Sequence, residues 1–284
     1  MMRFFGVKTK LTLLESNNIM QNIQKKMFYI PFLYFINTRS KNIIKSLSWV
    51  CIYIIPILLF LMIYKFEFFS IADFYKFLLS LILVYTLYEI GYIYNDTETI
   101  KHEKKPTIRL NSEQFVFYET NKTNIYACRC ILAVLLTAII IVMGSPVLLA
   151  LLPWAIIFVY TLYNYFRSRI NLLLHFILVV LRYGSPLLIV LGFDSNIILI
   201  TIFIFPMINL LERCGEKRFD LVFFQSKWFK KHNYLRVFYY FICTLIGSLC
   251  YLLYGGVTLR TFMLISIYYL LYRSLSAVYI NKQG

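Results

Sequence analysis

Residues 75–95 of the chain read YKFLLSLILVYTLYEIGYIYN, and the fold class follows from this stretch. Lys76 and Glu89 are its only charged residues. A helix of about 20 predominantly apolar residues is long enough to cross the hydrocarbon layer of a membrane. The stretch therefore predicts a transmembrane helix that ends close to Asp96.

Apolar runs of similar length recur along the chain of 284 residues. The hydrophobic fraction is 60% and the charged fraction is 15%, whereas soluble domains have about 45–50% and about 25%. We predict an all-α polytopic membrane protein with about eight transmembrane helices in a domain over 47–284. Only Gly144, Ser145 and Pro146 separate the third and fourth spans. The predicted spans are 47–64, 75–95, 125–143, 146–163, 171–192, 196–214, 236–254 and 257–278.

The formal net charge of +16 comes from basic residues that gather in alternate loops. By the positive-inside rule, the basic loops and both termini are predicted to be cytoplasmic, in a bacterial-type inner or plasma membrane. Because these charges fix topology, nucleic acid is not an expected partner, whereas the lipid bilayer is. The basic residues are Arg39, Lys41, Lys45, Lys101, Lys104, Lys105, Arg109, Lys122, Arg167, Arg169, Lys217, Arg218, Lys227, Lys230, Lys231, Arg236, Arg273 and Lys282.

Residues 1–46 precede the first predicted span and form a basic N-terminal segment. The aromatic-rich stretch from Met27 to Ile36 is either an interfacial helix or part of a tail that fixes topology. The six cysteines and three histidines have the spacing of neither a zinc site nor a disulfide framework.

Acidic residues cluster after the second span. If its helix continues to Pro106, then Glu89, Asp96 and Glu103 recur every seven residues and share one face. Glu98 would point away from that face. Ionisable groups at membrane depth are costly and usually functional.

The sixth span ends in a similar pattern. Glu212 and Glu216 lie one helical turn apart, and Asp220 follows one turn later. Both helices end with an asparagine, Asn95 or Asn209, then acidic residues and a basic pair. We interpret this as a weak internal repeat, with two four-helix halves.

Two facing carboxylate pairs would form a site for Mg²⁺, which binds carboxylate and phosphate oxygens. Nearby cations would then hold the remaining phosphate charge of a substrate. The alternative, a solvated helix cap, stays open for these charges. The nearby cations are Lys104, Lys105, Arg109, Arg167, Lys217 and Arg218.

The chain resembles the UbiA superfamily of intramembrane prenyltransferases over about residues 45–278. Asn95 and Asp96 match the start of the family's Asn-Asp-x-x-Asp-x-x-x-Asp motif, whose middle aspartate falls on Thr99 and last on Glu103. The second acidic motif falls on Glu212 and Glu216. The segment 163–169 is similar to an aromatic-then-basic stretch of the family. The family usually has nine helices.

The resemblance implies a UbiA-like bundle that transfers an isoprenoid from its diphosphate to an acceptor, with release of pyrophosphate. Mg²⁺ would be held by Asp96, Glu103, Glu212 and Glu216, which are also the expected catalytic residues. A second reaction of the superfamily transfers phosphoribose from phosphoribosyl pyrophosphate to polyprenyl phosphate, and this alternative stays open. A third alternative is a lipid transporter or flippase without chemistry. The expected substrate-binding residues are Asn95, Lys104, Lys105, Arg109, Tyr163, Arg167, Arg182, Asn209 and Lys217.

Arg182 lies in the middle of the fifth span. We expect it to contact a phosphate or a polar acceptor, or alternatively to form a buried ion pair with Glu89. Tyr85, Tyr88 and Tyr92 lie near one face of the second helix. We expect these rings to line an isoprenoid tunnel or to stabilise an allylic cation by cation–π contact. The alternative is that they are ordinary interfacial tyrosines of a membrane protein.

Overall fold

The computed structural model of the protein describes residues 25–40, 42–103, 106–166 and 168–281. Within these ranges every regular element is a helix, so the all-α prediction is confirmed for this part of the chain. The α-helices are α1 Leu33–Arg39, α2 Ile43–Trp49, α3 Ile55–Lys65, α4 Ile71–Thr97, α5 Ser112–Val142, α6 Val147–Leu151, α7 Ala155–Tyr165, α8 Ile170–Leu191, α9 Ser195–Ile204, α10 Pro206–Cys214, α11 Lys227–Lys230, α12 His232–Tyr254 and α13 Val257–Asn281.

In the described part of the chain, seven helical stretches are each long and apolar enough to cross a membrane. Helices α9 and α10 form an eighth if they are taken together, with a bend of 40° between them. Pro206 begins α10, and a proline breaks the hydrogen-bond ladder of a continuous helix because it has no N–H. The seven stretches are Ile43–Phe68, Ile71–His102, Ser112–Val142, Val147–Tyr165, Ile170–Leu191, His232–Tyr254 and Val257–Tyr279.

The spans run back and forth between two ends of the bundle. We call the end where α4 finishes and α8 begins the basic end. The connections at the opposite end are tied together by polar contacts: Tyr64 donates to Asp194 over 2.6 Å, and Lys65 lies 2.8 Å from Asp73. Arg260 at the start of α13 donates to the Ile63 carbonyl there.

Helices α4 and α8 form the centre of the bundle. Of the 18 most apolar consecutive residues in each of these two spans, 67% are buried, whereas the corresponding shares in α12 and α13 are 17% and 22%. The outer helices expose large apolar side chains such as Leu249 and Leu252. In a membrane these side chains face lipid, which costs little because lipid tails are themselves apolar.

The segment from Met27 through α1 packs into the bundle against α4 and α5. Met27 and Phe28 are fully buried. Arg129 of α5 donates to both of their carbonyl oxygens, over 3.2 Å and 2.7 Å. This segment, which the sequence predicts as an interfacial helix or a tail, therefore belongs to the packed structure of the bundle.

The two acidic helices end close to the predicted span ends, and neither continues as an α-helix through the acidic residues that follow. Helix α4 ends at Thr97 and a short turn follows, so Glu103 does not share a helical face with Asp96. Glu98 marks this break because it binds Tyr118 and Lys122 of α5, which draws the chain toward that helix.

Helix α10 likewise ends at Cys214, so Glu216 does not continue the helical face of Glu212. The Phe224 carbonyl oxygen lies only 3.0 Å from where a Cβ on Gly215 would stand. This close approach of the returning chain favours glycine at the helix end.

Candidate functional site

A cavity of about 830 Å³ lies inside the bundle, beginning at the basic end. Helices α2, α4, α7, α8, α10, α12 and α13 contribute to its lining, together with Phe35 of α1. Arg182 lies twelve residues beyond the start of α8, which places it roughly 18 Å along that helix from the basic end. The cavity therefore reaches toward the middle of the bundle.

Tyrosine rings form much of the cavity wall. Tyr88 and Tyr92 of α4 are four residues apart and therefore lie on one helical face. Tyr160 packs edge-on against both, at centroid distances of 5.3 Å and 5.8 Å. Of the three tyrosines singled out on α4, Tyr88 and Tyr92 line the cavity and Tyr85 does not; a role in an isoprenoid tunnel stays a prediction. The lining tyrosines are Tyr53, Tyr88, Tyr92, Tyr160, Tyr163 and Tyr183.

Gly91 explains why Tyr160 can approach α4 so closely. A Cβ on Gly91 would stand 2.3 Å from Cγ of Tyr160. No side chain fits at that distance, so the ring lies directly against the backbone of α4. The position of the cavity wall therefore depends on this glycine.

Five cationic side chains and two carboxylates line the cavity. Arg236 donates twice to Glu212, with Nη2 at 2.8 Å from Oε2. Arg218, outside the lining, lies 2.7 Å from Glu216. The lining therefore has more positive than negative groups. The lining cations are Lys45, Arg182, Arg213, Arg236 and Arg273.

Arg182 is surrounded by aromatic rings at the deep end of the cavity. Its guanidinium carbon lies 4.5 Å from the ring centre of Tyr53 and 5.4 Å from that of Tyr88. Nη2 donates to the Tyr85 hydroxyl. The alternative in which Arg182 pairs with Glu89 is wrong, because Glu89 pairs with Arg129, whose Nη2 lies 3.0 Å from Oε2.

Asp96 does not line the cavity; it lies behind Tyr92 in a buried cluster. Its side chain has no exposed area and accepts from Arg39 over 2.8 Å and 3.0 Å, and from Arg109 over 2.9 Å. Tyr34 also donates to it. The guanidinium of Arg39 lies 3.8 Å from the Tyr92 ring centre, so Arg39 separates Asp96 from the cavity wall.

Both α1 partners keep the protonation state that this cluster needs. Burial raises the pKa of Tyr34 well above its usual range, and the Asp96 carboxylate raises it further, so the phenol stays a donor. Burial alone would lower the pKa of Arg39, but Asp96 outweighs it and the pKa is raised. Arg39 therefore stays a cation and Tyr34 stays a hydrogen-bond donor beside Asp96.

The predicted Mg²⁺ ligands are not gathered in one place. Among the described residues no group of three or more His, Cys, Asp or Glu side chains is arranged to hold a metal ion. Both oxygens of Asp96 accept from arginines, and both oxygens of Glu212 accept from Arg236. The expectation that these two carboxylates face each other across a metal is not met, because α1 covers Asp96. Magnesium binding stays a prediction, and no step below depends on it.

The other predicted site residues fall into three groups. Tyr163, Arg182, Asn209, Glu212 and Glu216 line the cavity together. Asn95 and Arg109 bind Asp96 instead, while Glu103 and Lys217 are not part of the lining. Lys104, Lys105 and Arg167 lie outside the described residues.

The sequence interpretation missed Arg129 and used Arg236 and Arg273 only to fix topology. Arg129 lies within the predicted span 125–143. A charged residue inside a span usually faces the interior of the bundle, and this feature of the sequence points to Arg129. Arg213 sits next to Glu212 and donates to the Tyr163 hydroxyl over 3.1 Å. His175 on α8 also lines the cavity.

No family model, no curated protein and no solved structure matches the chain.

Proposed function

We propose that the protein is an intramembrane transferase of the UbiA type that acts on an isoprenoid substrate. The observation behind this proposal is the cavity, which combines arginine side chains with a wall of tyrosine rings inside an apolar bundle. An isoprenoid diphosphate has the same two-part chemistry, since a polyanionic head is joined to an unsaturated apolar chain.

The cationic lining would neutralise the diphosphate as it departs. In the reaction, the bond between C1 of the isoprenoid and the diphosphate oxygen breaks, and the electron pair leaves with pyrophosphate. The acceptor attacks C1 and releases a proton. Arg213 and Lys45 carry charge that stabilises the leaving group, as preorganised cations do in phosphate chemistry.

The tyrosine rings would stabilise the positive charge that develops on the allylic carbon. Aromatic faces attract cations electrostatically, and this attraction is stronger where water is excluded. Tyr88 and Tyr160 lie within the bundle, where each is at least nine-tenths buried. We assign them to the wall that contacts the isoprenoid.

Phosphoribosyl transfer to polyprenyl phosphate is the second candidate. Its substrates carry phosphate groups on both donor and acceptor, so it requires more cationic charge than prenyl transfer to a neutral ring. The surplus of lining cations over carboxylates favours it. In that reaction the bond between C1 of the ribose and the pyrophosphate oxygen breaks, and the lipid phosphate oxygen attacks C1.

We assign the basic end, and with it both termini, to the cytoplasmic side of a bacterial-type inner membrane. Basic loops are retained on that side during insertion. The cavity begins at this end, so water-soluble donors made in the cytoplasm would reach it directly.

Product analysis tests the proposal and separates its alternatives. Proteoliposomes would be incubated with farnesyl diphosphate and a pool of aromatic acceptors, or with phosphoribosyl pyrophosphate and a polyprenyl phosphate. Mass spectrometry would then detect a prenylated acceptor or a phosphoribosylated lipid. Failure to detect either product, from folded protein, would contradict a transferase. Movement of unaltered polyprenyl phosphate across the bilayer would then identify a lipid transporter.

A further inference from the structure

Two arginines that line the cavity have no carboxylate partner among the residues that the structure describes. Arg213, Arg236 and Arg218 lie within 4.0 Å of Glu216 or Glu212. Arg182 and Arg273 instead contact aromatic rings, with the Arg273 guanidinium 5.6 Å from the Tyr272 ring centre. The two therefore differ from the paired cations of the same cavity.

Each of the two guanidinium groups has at least one donor without a partner. An arginine can donate five hydrogen bonds. Within the described ranges Arg182 donates to the Tyr85 hydroxyl, and the Nε of each of the two arginines is buried without a partner. Both guanidinium groups line the cavity and have no carboxylate partner among the described residues, which favours an anionic ligand between them.

Shared neighbours connect the two arginines through the bundle centre. Tyr183 follows Arg182 on α8, and Tyr269 lies one helical turn before Arg273 on α13. The hydroxyls of Tyr183 and Tyr269 both donate to the Ile52 carbonyl, over 3.3 Å and 2.5 Å. Arg182 and Arg273 both line this cavity, one from α8 and the other from α13.

We propose that Arg182 and Arg273 bind the phosphate group of an isoprenoid phosphate directly, with no metal ion between protein and ligand. This inference deepens the proposed function, on which it rests for the identity of the lipid. Arginine suits the role because its planar fork matches two phosphate oxygens. The carboxylates that would hold a bridging metal are bound by arginines themselves.

Ligand binding by the purified full-length protein in detergent tests this inference. Farnesyl phosphate and inorganic pyrophosphate would be titrated by calorimetry, in EDTA and in excess Mg²⁺, with farnesol as the uncharged control. We expect farnesyl phosphate to bind in EDTA, with a Kd that changes less than about threefold when Mg²⁺ is added. Binding of pyrophosphate would indicate a site that accepts the free anion, whereas binding of farnesyl phosphate alone would indicate a site that also needs the lipid chain.

Arg182→Gln and Arg273→Gln should each weaken farnesyl phosphate binding by about tenfold or more, because each removes a charged hydrogen-bond donor. Arg260→Gln is the matched control, since Arg260 also has a buried Nε without a partner but lies at the opposite end. Farnesol binding should not change in any variant. If a glutamine variant does not fold, the corresponding Arg182→Lys or Arg273→Lys variant, which retains the charge, would be titrated in its place.

Binding that requires Mg²⁺, or that is equal in the Arg182, Arg273 and Arg260 variants, would overturn the inference. Absence of farnesyl phosphate binding by the folded wild-type protein would overturn it as well. The transferase proposal is judged separately by product formation. Mg²⁺-independent binding without turnover would support the anion site and contradict the transferase.

Discussion

Arg129 and Glu89 form an ion pair in which neither side chain has any exposed area, with Nη2 3.0 Å from Oε2. Glu89 also accepts from the Phe35 backbone N–H over 2.7 Å, and Arg129 donates to the Phe28 carbonyl. The pair thus joins α4, α5 and the N-terminal segment. Phe35 lines the cavity, so this buried pair also fixes one part of the cavity wall.

Glu89→Gln should lower the free energy of unfolding by about 3–5 kcal/mol, because it leaves the buried Arg129 charge without a counter-ion. Titration with a denaturing detergent would measure this difference. Glu119→Gln is the control: its partner Lys101 and Glu119 itself are both substantially exposed, and such pairs contribute about 0–1 kcal/mol. Equal stability of the two variants would contradict the role assigned to the pair.

Asp96→Asn should loosen α1 from the bundle, because Arg39 and Tyr34 lose the carboxylate that they share. Limited trypsin digestion would reveal this as faster cleavage after Arg39. Asp194→Asn provides the comparison, since Asp194 caps α9 at the opposite end and asparagine caps equally well. If Asp96→Asn resists trypsin as well as the wild type, the cluster does not retain α1.

Gly91→Ala should destabilise the protein by about 1–3 kcal/mol, as overpacked substitutions do. The added Cβ would overlap the Tyr160 ring, which must move into the cavity. Gly184→Ala is a matched change in the neighbouring central helix, where the nearest atom is Thr201 Cγ2 at 3.7 Å. We expect that variant to be nearly neutral in thermal denaturation. A comparable loss of stability in both would show that close packing on Gly91 is unimportant.

Whether the α9–α10 pair crosses the membrane decides whether the number of spans is even or odd. If it crosses the membrane, the α12–α13 connection at Gly255 and Gly256 lies on the same side as the connection after Lys65. Single cysteines introduced there into a cysteine-free background should then react with membrane-impermeant reagents from the same, non-cytoplasmic side. Labelling from opposite sides would show that α9 and α10 form a re-entrant segment instead.

The positions of the spans could be predicted from sequence because hydrophobic length alone specifies them. Residues 196–214, for example, coincide closely with the bent pair of α9 and α10. The partners of charged residues could not be predicted in this way. Glu89 was recognisable as a buried acid, but the choice between Arg129 and Arg182 depends on how three helices pack.

The candidate site could be predicted only in part, because some of its contacts join segments that are far apart in the sequence. The helix-end pattern indicates Glu212 and Asn209, the family resemblance indicates Tyr163, and all three line the cavity. Asp96 was expected beside them, but Arg39 comes from a segment far away in sequence and binds it. No local pattern around Asp96 indicates that contact.

Pyrophosphate release by proteoliposomes tests the central claim, that the cavity is the site of isoprenoid transfer. Arg213→Gln changes a lining residue, whereas Arg260→Gln changes an arginine at the opposite end. With the donor and acceptor that give product, the account predicts that Arg213→Gln lowers the rate of release by about 100-fold, as loss of a preorganised donor does, while Arg260→Gln keeps the wild-type rate. Equal rates in the two variants would show that catalysis takes place elsewhere.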